Sequence, residues 1–252
     1  MPHFLILSKD ADKYQSILAD ADLPNLIMEE KPSQKTEIVF GAPMMIRDAL
    51  GNLPSLRWAQ ASWAGVEPLL DPSLRRDYTL TNARGVFGSL MSEYIFGYLL
   101  AHERKIFERA AAQKNKIWDT SLTGQLRGKT IGLLGVGSIG ADVAKMAKAF
   151  GMTVRGYTRA SEASTQADKY YHGDDLLEFA SGLDYLVSIL PNTKETRRIV
   201  DKEVLNALPS HAVFVNVGRG SAVDESALLK ALQGTKLLPP KGGRFGKRLK
   251  VA

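Results

Sequence analysis

Lys129 to Gly151 reads KTIGLLGVGSIGADVAKMAKAFG, and this stretch decides the fold. Thr130 to Leu134 is an apolar run of buried-strand length. It ends on Gly135-Val136-Gly137-Ser138-Ile139-Gly140, after which Val143, Met146, Ala147 and Phe150 recur at helical spacing. A glycine triplet alone is an ordinary strand-to-helix turn. Strand, G-x-G-x-x-G and helix in that order are the context in which it reads as a dinucleotide-binding turn. Gly135 then permits the tight turn, Gly137 lets the backbone approach a pyrophosphate, and Gly140 lets helix and strand pack closely. The N–H groups that open the helix, at Ser138 and Ile139, are suited to holding the anion.

Outward from this turn the chain alternates strands and helices. On the C-terminal side, strands are expected over Met152–Tyr157, Leu183–Leu190 and Ala212–Val217, with helices over Asp174–Phe179, Asp201–Leu208 and Asp224–Gln233, Asp224 serving as a cap. On the N-terminal side, strands are expected over Phe4–Leu7, Glu37–Phe40, Leu56–Ser62 and Tyr78–Asn82. Helices fall over Ala11–Ala19 and Met44–Leu50. A long helical pattern from near Leu90 through Gln113, with Ser92 as a candidate cap, reads as a bridge between domains. Strands separated by helices imply parallel sheets, so the fold class is α/β with a doubly wound, Rossmann-type sheet. Such sheets bind ligands beyond the carboxyl ends of their strands, where the loops at Gly135, Thr158, Pro191 and Arg219 lie.

At 252 residues the chain is long enough for two domains, and 44% hydrophobic with 24% charged residues is the balance of a globular protein. It has no cysteine, which excludes disulfides and thiolate chemistry and fits a cytoplasmic location. No segment reaches the ~18 apolar residues of a membrane span, and MPHFLILSKD lacks the basic start of a signal peptide. None of the four histidines has metal-ligand spacing, so no metal is expected. The net charge of +6 equals the six bases of the acid-free stretch after Thr235. The charge therefore belongs to a tail, and neither nucleic acid nor a membrane is an expected partner.

Cofactor choice is read at the end of the second strand. Asp or Glu there, about 20 residues past the glycines, accepts from a ribose 2′-hydroxyl. Tyr157-Thr158-Arg159 stands there instead, with no acid before Glu162. A hydroxyl followed by a guanidinium suits a 2′-phosphate, so NADP is expected, with NAD as the alternative.

Residues 50–233 carry WAQASWAGVE, MSEYIFGYLLA, Trp118 ahead of LRGKTIGLLGVGSIG, then SILPNTKET and VFVNVGRGSAVDESALLKAL. In this combination and order the chain resembles the D-isomer-specific 2-hydroxyacid dehydrogenases, nearest to the glyoxylate/hydroxypyruvate reductases. The resemblance implies hydride transfer from a nicotinamide to a small 2-keto acid. It implies a flavodoxin-like substrate domain over 1–95, a Rossmann domain over 96–234 and a tail over 235–252. Arg219 matches the arginine that grips the substrate carboxylate and polarises the keto oxygen, a task suited to a planar guanidinium. Ala64, Gly65 and Val66 match the loop whose amides hold the other side of the carboxylate. Leu190, Pro191 and Thr196 match the segment along the adenosine and nicotinamide ribose, Val217 and Gly218 pass under the nicotinamide end, and Met91 lies near the ring. The family pairs into homodimers through helices matching Leu99–Lys116.

The pattern departs from the family after Gln233. The family's Leu-Asp-Val-Phe strand, Glu-Pro-Leu and Pro-His pair, which supply the orienting glutamate and the acid histidine, have no counterpart in TKLLPPKGGRFGKRLKVA. Truncation, a reading-frame shift or a degenerate gene each accounts for the change. His3, His102, His172 and His211 show no acid at a spacing that suggests an orienting partner, and each reads as structural or solvated. Impaired turnover is the expectation, and a non-catalytic dinucleotide-binding protein is the alternative.

Overall fold

The computed structural model describes residues 1–21, 23, 25–160, 162 and 164–233; the basic tail lies outside the described residues. The chain divides into two compact units after Arg84, eleven residues ahead of the boundary expected at 95/96.

The first unit holds β1 (His3–Leu7), α1 (Ala11–Asp20), β2 (Ile27–Glu29), β3 (Thr36–Gly41), α2 (Pro43–Ala49), β4 (Trp58–Ala61) and β5 (Thr79–Thr81). The strands lie in the order β2-β1-β3-β4-β5, all parallel, which is the flavodoxin-like arrangement. β2, a three-residue edge strand, carries no apolar alternation and was not expected. Leu5, Val39, Ala59, Ile46, Leu53 and Leu69 form this unit's core.

The second unit opens with α3 (Gly88–Glu103) and α4 (Ile106–Lys114). The single long helix expected from Leu90 is thus two. Lys105 sits at φ 51°, and this left-handed residue ends the hydrogen-bond ladder. Nor is Ser92 a cap: it is buried inside α3, where its Oγ donates back to the Gly88 carbonyl at 2.8 Å. Then follow β6 (Thr130–Leu134), α5 (Ser138–Ala149), β7 (Thr153–Tyr157), β8 (Lys169–Tyr171), α6 (Leu176–Ala180), β9 (Tyr185–Ser188), α7 (Lys202–Ala207), β10 (Val213–Asn216) and α8 (Glu225–Gln233). Asp201 and Asp224 cap the last two helices, accepting from Val204 and Ala227 N–H at 2.9 and 3.0 Å.

The second sheet runs β10-β9-β6-β7-β8, all parallel. Consecutive strands step outward from β6 on one side, then return to its other side, so the order reverses between β6 and β9. That is the doubly wound order with its switch point. Ile131, Leu133 and Val187 face α3 and α5, whereas Leu134 and Leu186 face α6 and α7. Burial on both faces explains why these strands read as unbroken apolar runs.

Candidate active site

The switch point is lined by the loops leaving β6, β9 and β10. Gly135 sits at φ +96°, and its N–H donates to the Tyr157 carbonyl at 2.9 Å, which turns the chain sharply off β6. A Cβ on Gly140 would stand 2.4 Å from the Gly135 carbonyl oxygen, whereas one on Gly137 would meet nothing within 4 Å. Turn and helix are therefore in direct contact on the inside, with open space over Gly137. The first α5 bond runs from Ala141 N–H to Gly137 at 2.9 Å, which leaves the N–H groups of Ser138, Ile139 and Gly140 ahead of the ladder. Exposed Ser138 and half-buried Ile139 present that end to solvent. These features fit a pyrophosphate approaching the turn.

The loop after β9 carries half-buried Leu190 and exposed Pro191. Thr196 closes it, its Oγ1 donating to the Pro191 carbonyl at 2.6 Å. Leu190 Cδ2 would lie 3.2 Å from a Cβ on Gly135, and the Leu190 carbonyl 2.6 Å from one on Gly218. Gly135, Leu190 and Gly218 thus meet at the switch point, and backbone packing there leaves no room for a side chain at Gly218. Val217 and Gly218 both donate to the Ser188 carbonyl, at 3.0 and 3.1 Å.

Arg219 follows, half-buried and extended at φ −125°, ψ 141°. Its backbone is held by Asn216, a residue that motif reading left without a role. Asn216 Oδ1 accepts from Gly218 N–H at 3.1 Å, and Nδ2 donates to the Arg219 carbonyl at 3.0 Å. An Asn two residues before a Gly at a strand end is a local Asx-type signal, and it could have been read from the sequence.

On the loop leaving β7, Thr158 is half-buried and Arg159 exposed. The Glu195 carboxyl, held below its ordinary range chiefly by the Thr193 hydroxyl, also feels the Arg159 charge. Met91 is half-buried in the first turn of α3. In the first unit, Ala64, Gly65 and Val66 lie on the loop leaving β4. Asn82 Nδ2 ties that loop down at the Ala64 carbonyl, at 2.7 Å.

The histidines correct the sequence reading, since three of the four do have a carboxylate partner. His3 pairs with Glu29 at 2.8 Å, His172 with Glu162 at 2.9 Å and His211 with Asp184 at 3.0 Å. Tertiary proximity brings these together, and sequence spacing does not report it. None of the second unit's three histidines lies beside Arg219. His211 and Asp184 sit at the N-terminal ends of β10 and β9, the opposite pole of the sheet. His172 follows β8, four strand spacings or about 19 Å from β10. His102 is in the last turn of α3, whose end is anchored at Lys129, ahead of β6.

Residues 96–238 match the model of the D-isomer specific 2-hydroxyacid dehydrogenase NAD binding domain, more than half of the chain. The chain belongs to the D-isomer specific 2-hydroxyacid dehydrogenase family. As a member of it, it is 30% identical over 229 residues to a glyoxylate/hydroxypyruvate reductase of Arabidopsis thaliana, covering 87% of this chain and 70% of that one. It is likewise 30% identical to a glyoxylate reductase of Thermococcus litoralis, with 74% and 60% covered. The chain thus spans about 60–70% of the length of these relatives. A family structure from Aeromonas salmonicida superposes with a TM-score of 0.88 at 36% identity, covering 93% of this chain and 78% of that chain. One from Xanthobacter autotrophicus, in complex with NADPH and MES, gives 0.80 at 25%, covering 100% and 87%.

Proposed function

We propose that this chain binds NAD(P)H and a small 2-keto acid of the glyoxylate or hydroxypyruvate kind, with NADPH preferred. The observation that carries this reading is the convergence of the β6, β9 and β10 loops at the switch point, with the open end of α5 on one side and Arg219 on the other. Bound reduced nicotinamide supplies the hydride. The amides of Ser138, Ile139 and Gly140 hold the pyrophosphate, and Thr158 with Arg159 takes the 2′-phosphate. Leu190, Pro191, Thr196, Val217, Gly218 and Met91 line the path of the ribose and nicotinamide. The Arg219 guanidinium grips the substrate carboxylate with paired donors and stabilises the alkoxide as it forms. In the first unit, the amides of Ala64, Gly65 and Val66 are the carboxylate-binding loop that the family resemblance implies.

No described histidine of the second unit stands near Arg219, and loss of a positioned general acid costs about 10²–10⁴ in rate. Binding is thus expected to outlast turnover. The test is titration of NADPH and of oxamate, followed by steady-state NADPH oxidation with glyoxylate. Tight cofactor binding with turnover well below the enzyme median of ~10 s⁻¹ supports the reading, and absence of NADPH binding overturns it.

The homodimer belongs to the same reading. Leu90, Tyr94 and Tyr98 form an exposed stripe on one face of α3, and Ile117, Trp118 and Leu122 are exposed on the loop after α4, Trp118 and Leu122 to about 90%. Apolar surface on this scale suits a second copy of the chain.

A further inference from the structure

Cofactor choice in this fold is decided beside the ends of β7 and β8, and there His172 makes contacts that the glycine motif does not explain. Its Nδ1 lies 2.9 Å from the Thr158 carbonyl oxygen and 3.3 Å from Thr158 Oγ1, and its Nε2 lies 2.9 Å from Glu162 Oε1. A carbonyl and a carboxylate can only accept. Both contacts therefore favour the doubly protonated ring, and they raise its pKa above the ordinary histidine value. The other groups around it are the Tyr170 ring, stacked with centroids 6.3 Å apart, and the Asp175 carboxylate, whose charge reinforces that of Glu162.

Glu162 is the first acid after the second strand. A carboxylate free to swing there would accept from a ribose 2′-hydroxyl and repel a 2′-phosphate. In this chain it is engaged elsewhere. The pair is 33% and 60% exposed, so it adds little to stability and only biases the carboxylate toward the His172 side.

We propose that His172 is a specificity-determining residue: it draws Glu162 toward the end of β8 and steadies the Thr158 carbonyl, leaving the ribose edge to the Arg159 charge. A 2′-phosphorylated dinucleotide is then selected by what His172 keeps away as well as by what Arg159 attracts. This inference rests on the reading of Arg159 given above.

The experiment measures dissociation constants of NADPH and NADH on the full chain. His172→Phe keeps the stacking on Tyr170 and removes both donors. It should lower the NADPH:NADH preference about three- to fivefold, the scale of an exposed ion pair. Adding Glu162→Gln to that variant should bring the preference back to within about twofold of the wild type, because an amide neither repels the phosphate nor carries charge. A preference unchanged in His172→Phe, or lowered and not restored by Glu162→Gln, overturns the inference. Should His172→Phe fail to fold, the wild type between pH 7 and 9 reads the same quantity. The 2′-phosphate, ionising a second time near about 6, stays dianionic there. The preference should fall with rising pH as His172 loses its proton, and a flat profile counts against the inference. Arg159→Ala separates the two readings. A preference that survives it removes the Arg159 assignment itself, whereas one that collapses while the His172 variants stay unchanged removes only the role of His172.

Discussion

Arg219 is braced through its backbone. Asn216 holds both the N–H before it and its own carbonyl, and Ala222 N–H adds a further bond to that carbonyl at 3.1 Å. Asn216→Ala deletes two hydrogen bonds at a buried strand end and should cost about 1–3 kcal/mol in urea unfolding. Oxamate binding should weaken in the same variant while NADPH binding holds. A stability loss with unchanged oxamate affinity would reduce Asn216 to a structural brace. Arg219→Lys keeps the charge and loses the planar fork. Calorimetry should show weaker oxamate binding, by about 1.5–3 kcal/mol for each charged hydrogen bond lost.

Among the elements, α5 and α3 are fixed to the sheet by different devices. The start of α5 touches β6's turn through Gly140, so Gly140→Ala drives a Cβ into the Gly135 carbonyl. Overpacking of this kind costs about 1–3 kcal/mol, and fluorescence titration should also show weaker NADPH binding because the turn must shift. The end of α3 is held by Glu103, buried to 6% exposure. Its carboxylate accepts from Lys129 Nζ at 2.7 Å and from the Tyr185 hydroxyl, tying the helix to the starts of β6 and β9. Burial, and then the Glu103 hydrogen bond, push the Tyr185 hydroxyl far above the ordinary tyrosine range, so it remains a neutral donor. Glu103→Ala strands a buried hydroxyl and a half-buried ammonium. Denaturant unfolding should register about 3 kcal/mol, the lower end for a broken buried pair, since Lys129 keeps some contact with water.

The chain as a whole should lose stability on acidification. Burial raises the Asp168 carboxyl, but Lys148 and the Val154 N–H more than offset it and the net shift is downward. Glu29 is lowered in the same way by Ser33, Thr36 and His3. A carboxyl lowered by folding contributes stability above its unfolded value, and that contribution disappears as pH falls through the folded one. Thermal melts should therefore decline below about pH 4, and Asp168→Asn should blunt the decline. His172 has the opposite sign. Raised by Glu162 and the Thr158 carbonyl, it contributes below its ordinary value and loses that contribution as pH climbs through the folded one. At the same scale, sedimentation should report a dimer, and Tyr94→Lys with Trp118→Ser should shift it to monomer without lowering NADPH affinity.

The sequence by itself determined four of the five strands of each sheet and the turn between β6 and α5, because strand length, glycine spacing and helical periodicity are local properties of Lys129–Gly151 and its neighbours. The position of Arg219 just past a strand end was legible too, while its role was what the family resemblance implied. The short strands β2 and β8 were not, since three-residue edge strands carry no periodicity. Neither was the break at Lys105, where good helix formers continue through a left-handed residue. Only the tertiary structure decided the histidines. His3 meets Glu29 across 26 positions and His211 meets Asp184 across 27, while His172 meets Glu162 across ten. Spacing along a chain cannot report such pairs, because parallel strands bring together residues whose separation is set by the crossovers between them.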